Sequence, residues 1–244
     1  MNLRDHSSRT WFAVATGVAL TLLATSLGNW QTRRGDTKEA IEAQWHNAES
    51  ARPIEVATLN DATAVAASLP RRVMLRGTFV PAATVFVDNR TLSGVAGFQV
   101  ITPLRLEDGT AAVLINRGWA ARDARDPARI PDLTTPAGAV PIEGLAVARV
   151  PRLLELASTV TPALPGIWPN LEFEDYEKAA GFAVARVVVQ QTNDTADGLR
   201  RVWPRPAAGV EKHRGYALQW YGLAALSAGL TLYFGGRALR RRAA

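Results

Sequence analysis

The sequence of 244 residues contains no cysteine and only three histidines. Without thiols the chain can form no disulfide, no thiolate metal site, no cysteine nucleophile and no covalent c-type haem linkage. Histidine occurs at His6, His46 and His213, which is too few for a histidine-rich metal cage. The GxSxG elbow, the P-loop and the dinucleotide-binding fingerprint are also missing. These absences predict that the protein is not an enzyme.

The basic character of the chain lies at its two ends. The net charge is +6, and residues 1–10 and 237–244 together carry six arginines and one aspartate. The long middle of the chain is therefore nearly neutral. A nucleic-acid groove needs a basic surface along the folded domain, so we expect no nucleic-acid partner.

Two hydrophobic segments without charge lie near the termini. The first runs from Trp11 to Trp30, and the second continues from Tyr216 to Gly235 with aromatic residues at both ends. Each is long enough to cross a bilayer, and interfacial aromatics are typical of spanning helices. The sequence predicts transmembrane helices at residues 11–30 and 213–235. We expect small residues to let the helices pack closely, namely Ala13, Gly17, Ala24, Gly222, Ala225 and Gly229.

A cleaved signal peptide is the alternative for the first segment, because residues 24–26 (Ala-Thr-Ser) resemble a cleavage site after a basic start. The second segment would still attach the chain to a membrane.

The positions of the arginines predict the orientation. Lysine and arginine near a span favour the cytoplasmic side, and both tails are rich in arginine. We therefore expect a multi-pass protein of the bacterial inner membrane with both termini in the cytoplasm and the main domain in the periplasm. The predicted division is a cytoplasmic N-terminus (1–10), a first span (11–30), an extracytoplasmic domain (31–212), a second span (213–235) and a basic cytoplasmic tail (236–244).

The extracytoplasmic segment has the pattern of a mostly-β domain, a barrel or a sandwich, with short helices. Short apolar runs alternate with turn signals, and Asp108-Gly109 between two of them predicts a hairpin over residues 99–119. Helices are expected at 37–50 and 171–180, and proline-containing loops at 122–138 and 192–210. The predicted strands are 73–80, 84–89, 98–106, 110–115, 140–148 and 182–191.

His213 is the first candidate for a functional site. It precedes Tyr216 by three residues and Trp220 by seven, so a helix that begins near it presents all three on one face at the outer membrane surface. Such a face can offer an imidazole ligand to haem iron between aromatic walls. The alternative is a histidine at a helix start beside an ordinary interfacial aromatic belt.

Trp30, Gln31 and Arg34 form a second candidate cluster, just outside the first span. The structural alternative is anchoring, with the indole at the headgroups and the guanidinium on lipid phosphate. A third motif, Asn116-Arg117-Gly118-Trp119, follows the predicted hairpin strand. We expect it to be structural, with a buried tryptophan and an arginine paired to an acid.

Several motifs occur together in one order. They are Leu27-Gly28-Asn29-Trp30-Gln31-Thr32-Arg33-Arg34, Arg76-Gly77-Thr78-Phe79, Asn89-Arg90, Gly97, Thr102-Pro103-Leu104, Asn116-Arg117-Gly118-Trp119, Trp168-Pro169-Asn170, and His213 followed by Tyr216-Ala217-Leu218-Gln219-Trp220-Tyr221. With a span at each end, this order resembles the SURF1/Shy1 family over nearly the whole chain.

The resemblance implies an assembly factor for haem-copper cytochrome c oxidase that binds haem a and helps insert it into oxidase subunit I. It implies subunit I, other oxidase assembly factors and membrane lipid as partners. It also implies a haem site, with His213 as the metal ligand. One position departs from the family pattern, because Glu211 stands where the family usually has asparagine. Two alternatives stay open, a haem-free scaffold for oxidase assembly intermediates and a periplasmic enzyme on a membrane anchor.

Overall fold

The computed structural model describes residues 3–107, 109, 112–153, 163–204 and 209–243. The chain divides into two compact units, Gln44–Pro204 and the two terminal segments together. A short 3-10 helix at Pro81–Ala83 accompanies the main elements. In chain order these are α1 (Leu3–Ser50), β1 (Ile54–Val56), α2 (Leu59–Ala66), β2 (Arg71–Phe79), β3 (Val85–Val87), β4 (Gly97–Leu106), β5 (Ala112–Ala121), β6 (Ala139–Val147), β7 (Gly166–Trp168), α3 (Phe173–Ala180), β8 (Val184–Gln191) and α4 (Val210–Ala243).

Five strands of the Gln44–Pro204 unit close into a small barrel. Hydrogen bonding follows the order β2, β6, β8, β5, β4, and the ring closes where β2 pairs with β4 from Gly77 opposite Leu106 to Phe79 opposite Leu104. The short strand β1 extends the sheet beside β2, and β3 and β7 extend it beside β4. Of the two predicted architectures, barrel and sandwich, the structure is the barrel.

Large apolar side chains fill the inside of the barrel. Every barrel strand contributes to one buried cluster, and Ala62 and Val65 of α2 belong to it as well. Inward and outward side chains alternate along each strand, so one side chain in two faces this interior. Fully buried members include Leu75, Leu104, Ile115, Ile142 and Val187.

A second buried cluster covers one outer face of the same sheet. It contains Val85 of β3, Trp168 of β7, Tyr176 of α3 and Ala48 at the end of α1. Because β5 is covered on both faces, it is buried at nearly every position instead of at alternate ones. This double coverage explains why alternation is clear only in strands such as β2.

Most predicted elements of this unit are present. The hairpin of β4 and β5 is confirmed, and Gly109 has the positive φ of +70° that its turn requires, whereas Asp108 lies outside the described residues. The three-residue strands β1 and β7 were not predicted, because they are too short for a periodic pattern. The helix expected at 37–50 is not separate, since α1 runs without interruption from Leu3 to Ser50. No proline stands in this stretch to break it.

The other unit is an antiparallel pair of helices made of α4 and the part of α1 up to Ala43. Gly17 lies against Thr231, Gly28 against Tyr221 and Gly35 against His213. The least exposed residues recur at spacings of three and four, as in a coiled-coil seam. We call these residues the seam; on α1 they are Val14, Gly17, Thr21, Ala24, Gly28, Gln31 and Gly35, and on α4 they are Val210, His213, Ala217, Trp220, Ala224, Ser227 and Thr231.

Two of the six expected packing residues are right. Gly17 and Ala24 lie in the seam, but Ala13, Gly222, Ala225 and Gly229 are exposed, and a Cβ at Gly222 or Gly229 would meet nothing within 4 Å. The prediction was wrong for α4 because it used residue size alone. The seam follows the heptad spacing, which selects Ala217, Ala224 and Ser227 instead.

Large hydrophobic side chains face outward from this helix pair. Phe12, Leu22, Leu218 and Leu232 are between 66% and 76% exposed. By length and composition, the described part of the chain contains one helix that can cross a membrane, the apolar stretch of α1 that begins at Trp11. This helix is compatible with membrane anchoring, whereas α4 does not meet the same criterion.

Candidate functional site

The candidate site lies in the seam between the two helices, where α4 begins. His213 Nδ1 lies 2.7 Å from the side-chain oxygen Oε1 of Gln31. An amide oxygen can only accept a hydrogen bond, so the Nδ1 nitrogen carries the proton and donates it. In the neutral imidazole the other nitrogen, Nε2, then has a free lone pair. In this tautomer Nε2 is the nitrogen that can coordinate an iron or another metal.

A glycine opposite His213 lets the helices approach at this level. A Cβ placed on Gly35 would lie 3.7 Å from His213 Cβ, so a larger side chain would compete for the same space. Beside it, Arg214 Nη2 donates to Glu39 Oε2 at 2.6 Å across the seam. Both of these side chains are more than half exposed, so the ion pair adds orientation more than stability.

The remaining predicted site residues lie around this contact. Trp220 is half-buried in the seam, Tyr216 is 52% exposed and Trp30 is 53% exposed. Successive residues of a helix are rotated by about 100°, which puts Tyr216 of α4 and Trp30 and Arg34 of α1 on one side of the seam. The structure therefore brings His213 and Gln31 into contact, and helix periodicity puts three of the other four candidates on one side of the seam.

The chemistry available at this site is ligation. When it is neutral, the imidazole of His213 offers Nε2 as a ligand atom, and Tyr216, Trp30 and Arg34 lie on one side of the seam. Metal-binding histidines usually donate their second N–H to an oxygen acceptor, which orients the ring and raises its basicity. Gln31 fills that role for His213.

The opposite side of the seam holds residues that the sequence interpretation did not include in the site. The hydroxyl of Tyr221 donates to Asn29 Oδ1 at 2.8 Å and lies 3.3 Å from Thr32 Oγ1. Its ring packs on Gly28, where a Cβ would come within 2.6 Å of a ring carbon. The heptad spacing of small and polar residues could have predicted this contact surface from the sequence, because it puts Gly28 and Gln31 on one helix face.

The Asn116–Trp119 motif is structural, as expected. Arg117 is fully buried and donates to Asp197 Oδ2 at 3.1 Å, and Trp119 is 8% exposed. Burial lowers the pKa of Arg117, and the charge of Asp197 opposes that shift. Burial also works against ionisation of Asp197, but hydrogen bonds from Arg201, the Leu199 backbone and Thr195 outweigh it and hold the pKa of Asp197 below its ordinary value.

No group of three or more histidine, aspartate or glutamate side chains within the described residues can hold a metal ion. A single-histidine site, with the remaining contacts supplied by a haem macrocycle, is not subject to this limit.

Comparisons with known proteins match residues in both units of the chain. The chain is 32% identical over 117 residues to a SURF1-like protein of Dictyostelium discoideum, a match that covers 45% of this chain and 43% of that protein. It is 27% identical over 222 residues to Surfeit locus protein 1 of Xenopus tropicalis, covering 82% of this chain and 68% of that protein. The model of the SURF1 family matches residues 18–225, which include most of α1, the first part of α4 and the whole barrel. The chain therefore belongs to the SURF1 family, a family of oxidase assembly factors rather than enzymes.

Proposed function

We propose that this protein is a membrane-anchored assembly factor for haem-copper cytochrome c oxidase that holds haem a at His213 and assists its insertion into oxidase subunit I. Family membership supports the assembly role. The hydrogen bond between His213 and Gln31 is the observation that supports the haem site, because it occupies Nδ1 and leaves Nε2 of the neutral imidazole available to a metal. Subunit I, other oxidase assembly factors and membrane lipid are the proposed partners.

The distribution of residue types in the helix pair supports a two-span topology. Small and polar residues lie in the seam, whereas large hydrophobic residues such as Leu22 and Leu218 face outward. This is the arrangement expected of helices that associate in lipid, where close packing and hydrogen bonds replace the hydrophobic effect. We place the spans at residues 11–30 and 213–235, the arginine-rich ends in the cytoplasm and the barrel in the periplasm.

The residues at the site fit a transiently bound haem. His213 would be the iron ligand, Tyr216, Trp220 and Trp30 would offer aromatic faces, and Arg34 would suit a propionate carboxylate. Gln31 keeps the imidazole in the ligating tautomer. A haem would supply an iron centre, and a single protein ligand would leave it easier to release than two ligands would. That property suits a carrier.

A haem-free scaffold is the second candidate function. The exposed apolar side chains of both helices, such as Phe12 and Leu232, favour it because they offer a surface for helices of partly assembled oxidase subunits. In this case His213 and Gln31 would only join the two helices.

The two functions differ in an absorption spectrum. We expect the protein purified in detergent from cells that make haem a to show a haem band, and the His213→Ala variant to lose it. His46→Ala is the matched control, because His46 is exposed on the same protein and lies outside the seam. A colourless wild-type protein from haem-replete cells would reject the carrier function and leave the scaffold.

Deletion of the gene separates both functions from an enzymatic one. We expect the oxidase spectral signal to fall while the cellular pool of haem a stays intact. Depletion of the pool would indicate a step in haem synthesis instead, and would contradict the assembly role.

A further inference from the structure

The seam by itself does not choose one alignment of the two helices. Its central residues are small and similar in size, including Thr21 and Ala24 on α1 and Ala217 and Ala224 on α4. These residues repeat at intervals of seven, so a slip of one heptad would again bring small residues together. In such seams the register is specified by the few larger or polar residues.

Tyr221 blocks one of the two possible slips. Its ring lies on Gly28, and a Cβ there would come within 2.6 Å of Tyr221 Cε1. A slip of one heptad in this direction would put Thr21 in the place of Gly28, where the ring leaves no room for a side chain. The hydrogen bond from the tyrosine hydroxyl to Asn29 Oδ1 would also be lost.

The opposite slip would break the contact between Gln31 and His213. It would put Lys38 in the place of Gln31, opposite His213. An ammonium group is only a donor and cannot accept the proton of Nδ1. The Gln31–His213 hydrogen bond is lost in either slip, since the first slip would put Ala24 in the place of Gln31, and the Tyr221 ring adds a steric block to that first slip.

We propose that Tyr221 is a positioning residue for His213. Its contacts with Gly28 and Asn29 hold the helices in the register in which Gln31 Oε1 accepts from the imidazole. The importance of Tyr221 for haem binding rests on the proposed function, but the register of the two helices can be measured without haem.

The absence of cysteine makes disulfide cross-linking a direct test. Ala24 and Ala224 are both buried in the seam and lie opposite each other in the observed register. Ala24→Cys with Ala224→Cys reports this register, and Ala24→Cys with Ala217→Cys reports the slip that the Tyr221 ring blocks. With Tyr221 present, we expect only the first pair to cross-link.

Tyr221→Ala is expected to raise cross-linking of the slipped pair relative to the in-register pair about fivefold or more, since interhelical contacts in lipid have effects of this order. Tyr221→Phe keeps the ring on Gly28 and is expected to restore the in-register pair. Tyr233→Ala is the control, because Tyr233 is 62% exposed on the same helix. An unchanged cross-linking ratio in Tyr221→Ala would overturn the proposal.

A second readout follows the imidazole directly. The ¹⁵N chemical shifts of His213, assigned by comparison with His213→Ala, are expected to show a proton on Nδ1 in the wild type and a mixture of tautomers in Tyr221→Ala. Loss of packing without loss of register would leave the tautomer unchanged and would contradict the positioning role. If both readouts change as expected but the wild type binds no haem, the register inference stands and the haem function fails.

Discussion

The barrel and the helix pair bury opposite kinds of residue. Inside the barrel, Leu104, Ile115 and Ile142 are fully buried. In the seam, by contrast, the contacts are made by residues such as Gly17 and Ser227, and Ser227 Oγ donates to the carbonyl oxygen of Gly17 at 3.0 Å. The barrel hides its apolar residues from solvent, whereas the helix pair turns its apolar residues outward.

The difference indicates two different surroundings. Burial of apolar area drives the folding of a unit in water, at about 25 cal/mol per Å². That driving force is missing in lipid, where close backbone approach and hydrogen bonds must hold helices together. The same chain therefore contains one unit with an apolar core, as expected of a unit that folds in water, and one whose first helix is compatible with membrane anchoring.

The largest effect is expected for the buried charge pair of the barrel unit. Asp197→Asn should lower the free energy of unfolding by about 3–5 kcal/mol, because it leaves the guanidinium of Arg117 buried without its counter-charge. Urea unfolding of the full chain in mild detergent, followed by tryptophan fluorescence, measures this loss.

Asp194→Asn is the matched control for that substitution. Asp194 pairs with Arg201 at 3.3 Å, but its side chain is 82% exposed, so the expected loss is below about 1 kcal/mol. Equal losses of stability at the two positions would show that burial of the ion pair does not determine how much stability is lost.

A smaller effect is expected from paired leucine substitutions that compare the two units. Leu104→Ala opens a cavity inside the barrel and should cost about 2–5 kcal/mol. Leu226→Ala on α4 removes a side chain that is 60% exposed, and it should change stability by less than about 0.5 kcal/mol. Measured in the same detergent by the same denaturant titration, a large loss for Leu226→Ala would place that helix face against protein rather than lipid.

The sequence predicted the barrel unit better than the helix contacts. Strands such as β4 and β8 have apolar runs bounded by turn signals. These patterns can be recognised in the sequence because each strand is regular along its own length. Closure of the barrel was not predictable, since it depends on the short pairing of β2 with β4. The strand β7 was missed because three residues carry no period.

For the candidate site, the sequence singled out individual residues but did not predict their arrangement. His213 and Gln31 were singled out separately, and 182 positions separate them in the chain. Their contact follows from the alignment of two helices, which no local pattern contains. Tyr221 was taken for part of an aromatic belt because its role depends on Gly28, a residue on the other helix.

The smallest effect is expected from acid, again at Asp197. Its pKa in the folded chain lies below the ordinary value of 3.8, so the unfolded chain takes up the proton first as the pH falls. The contribution of this carboxylate to stability is therefore complete above that value and is lost as the pH drops through the folded-state pKa.

The measurement is urea unfolding of the wild type and of Asp197→Asn over a range of pH. Subtracting one free energy of unfolding from the other removes the contributions of all other carboxylates. We expect the difference in stability between the two proteins to be constant near neutrality and to shrink below about pH 4. A difference that stays constant or grows in acid would mean that folding does not lower the pKa of Asp197.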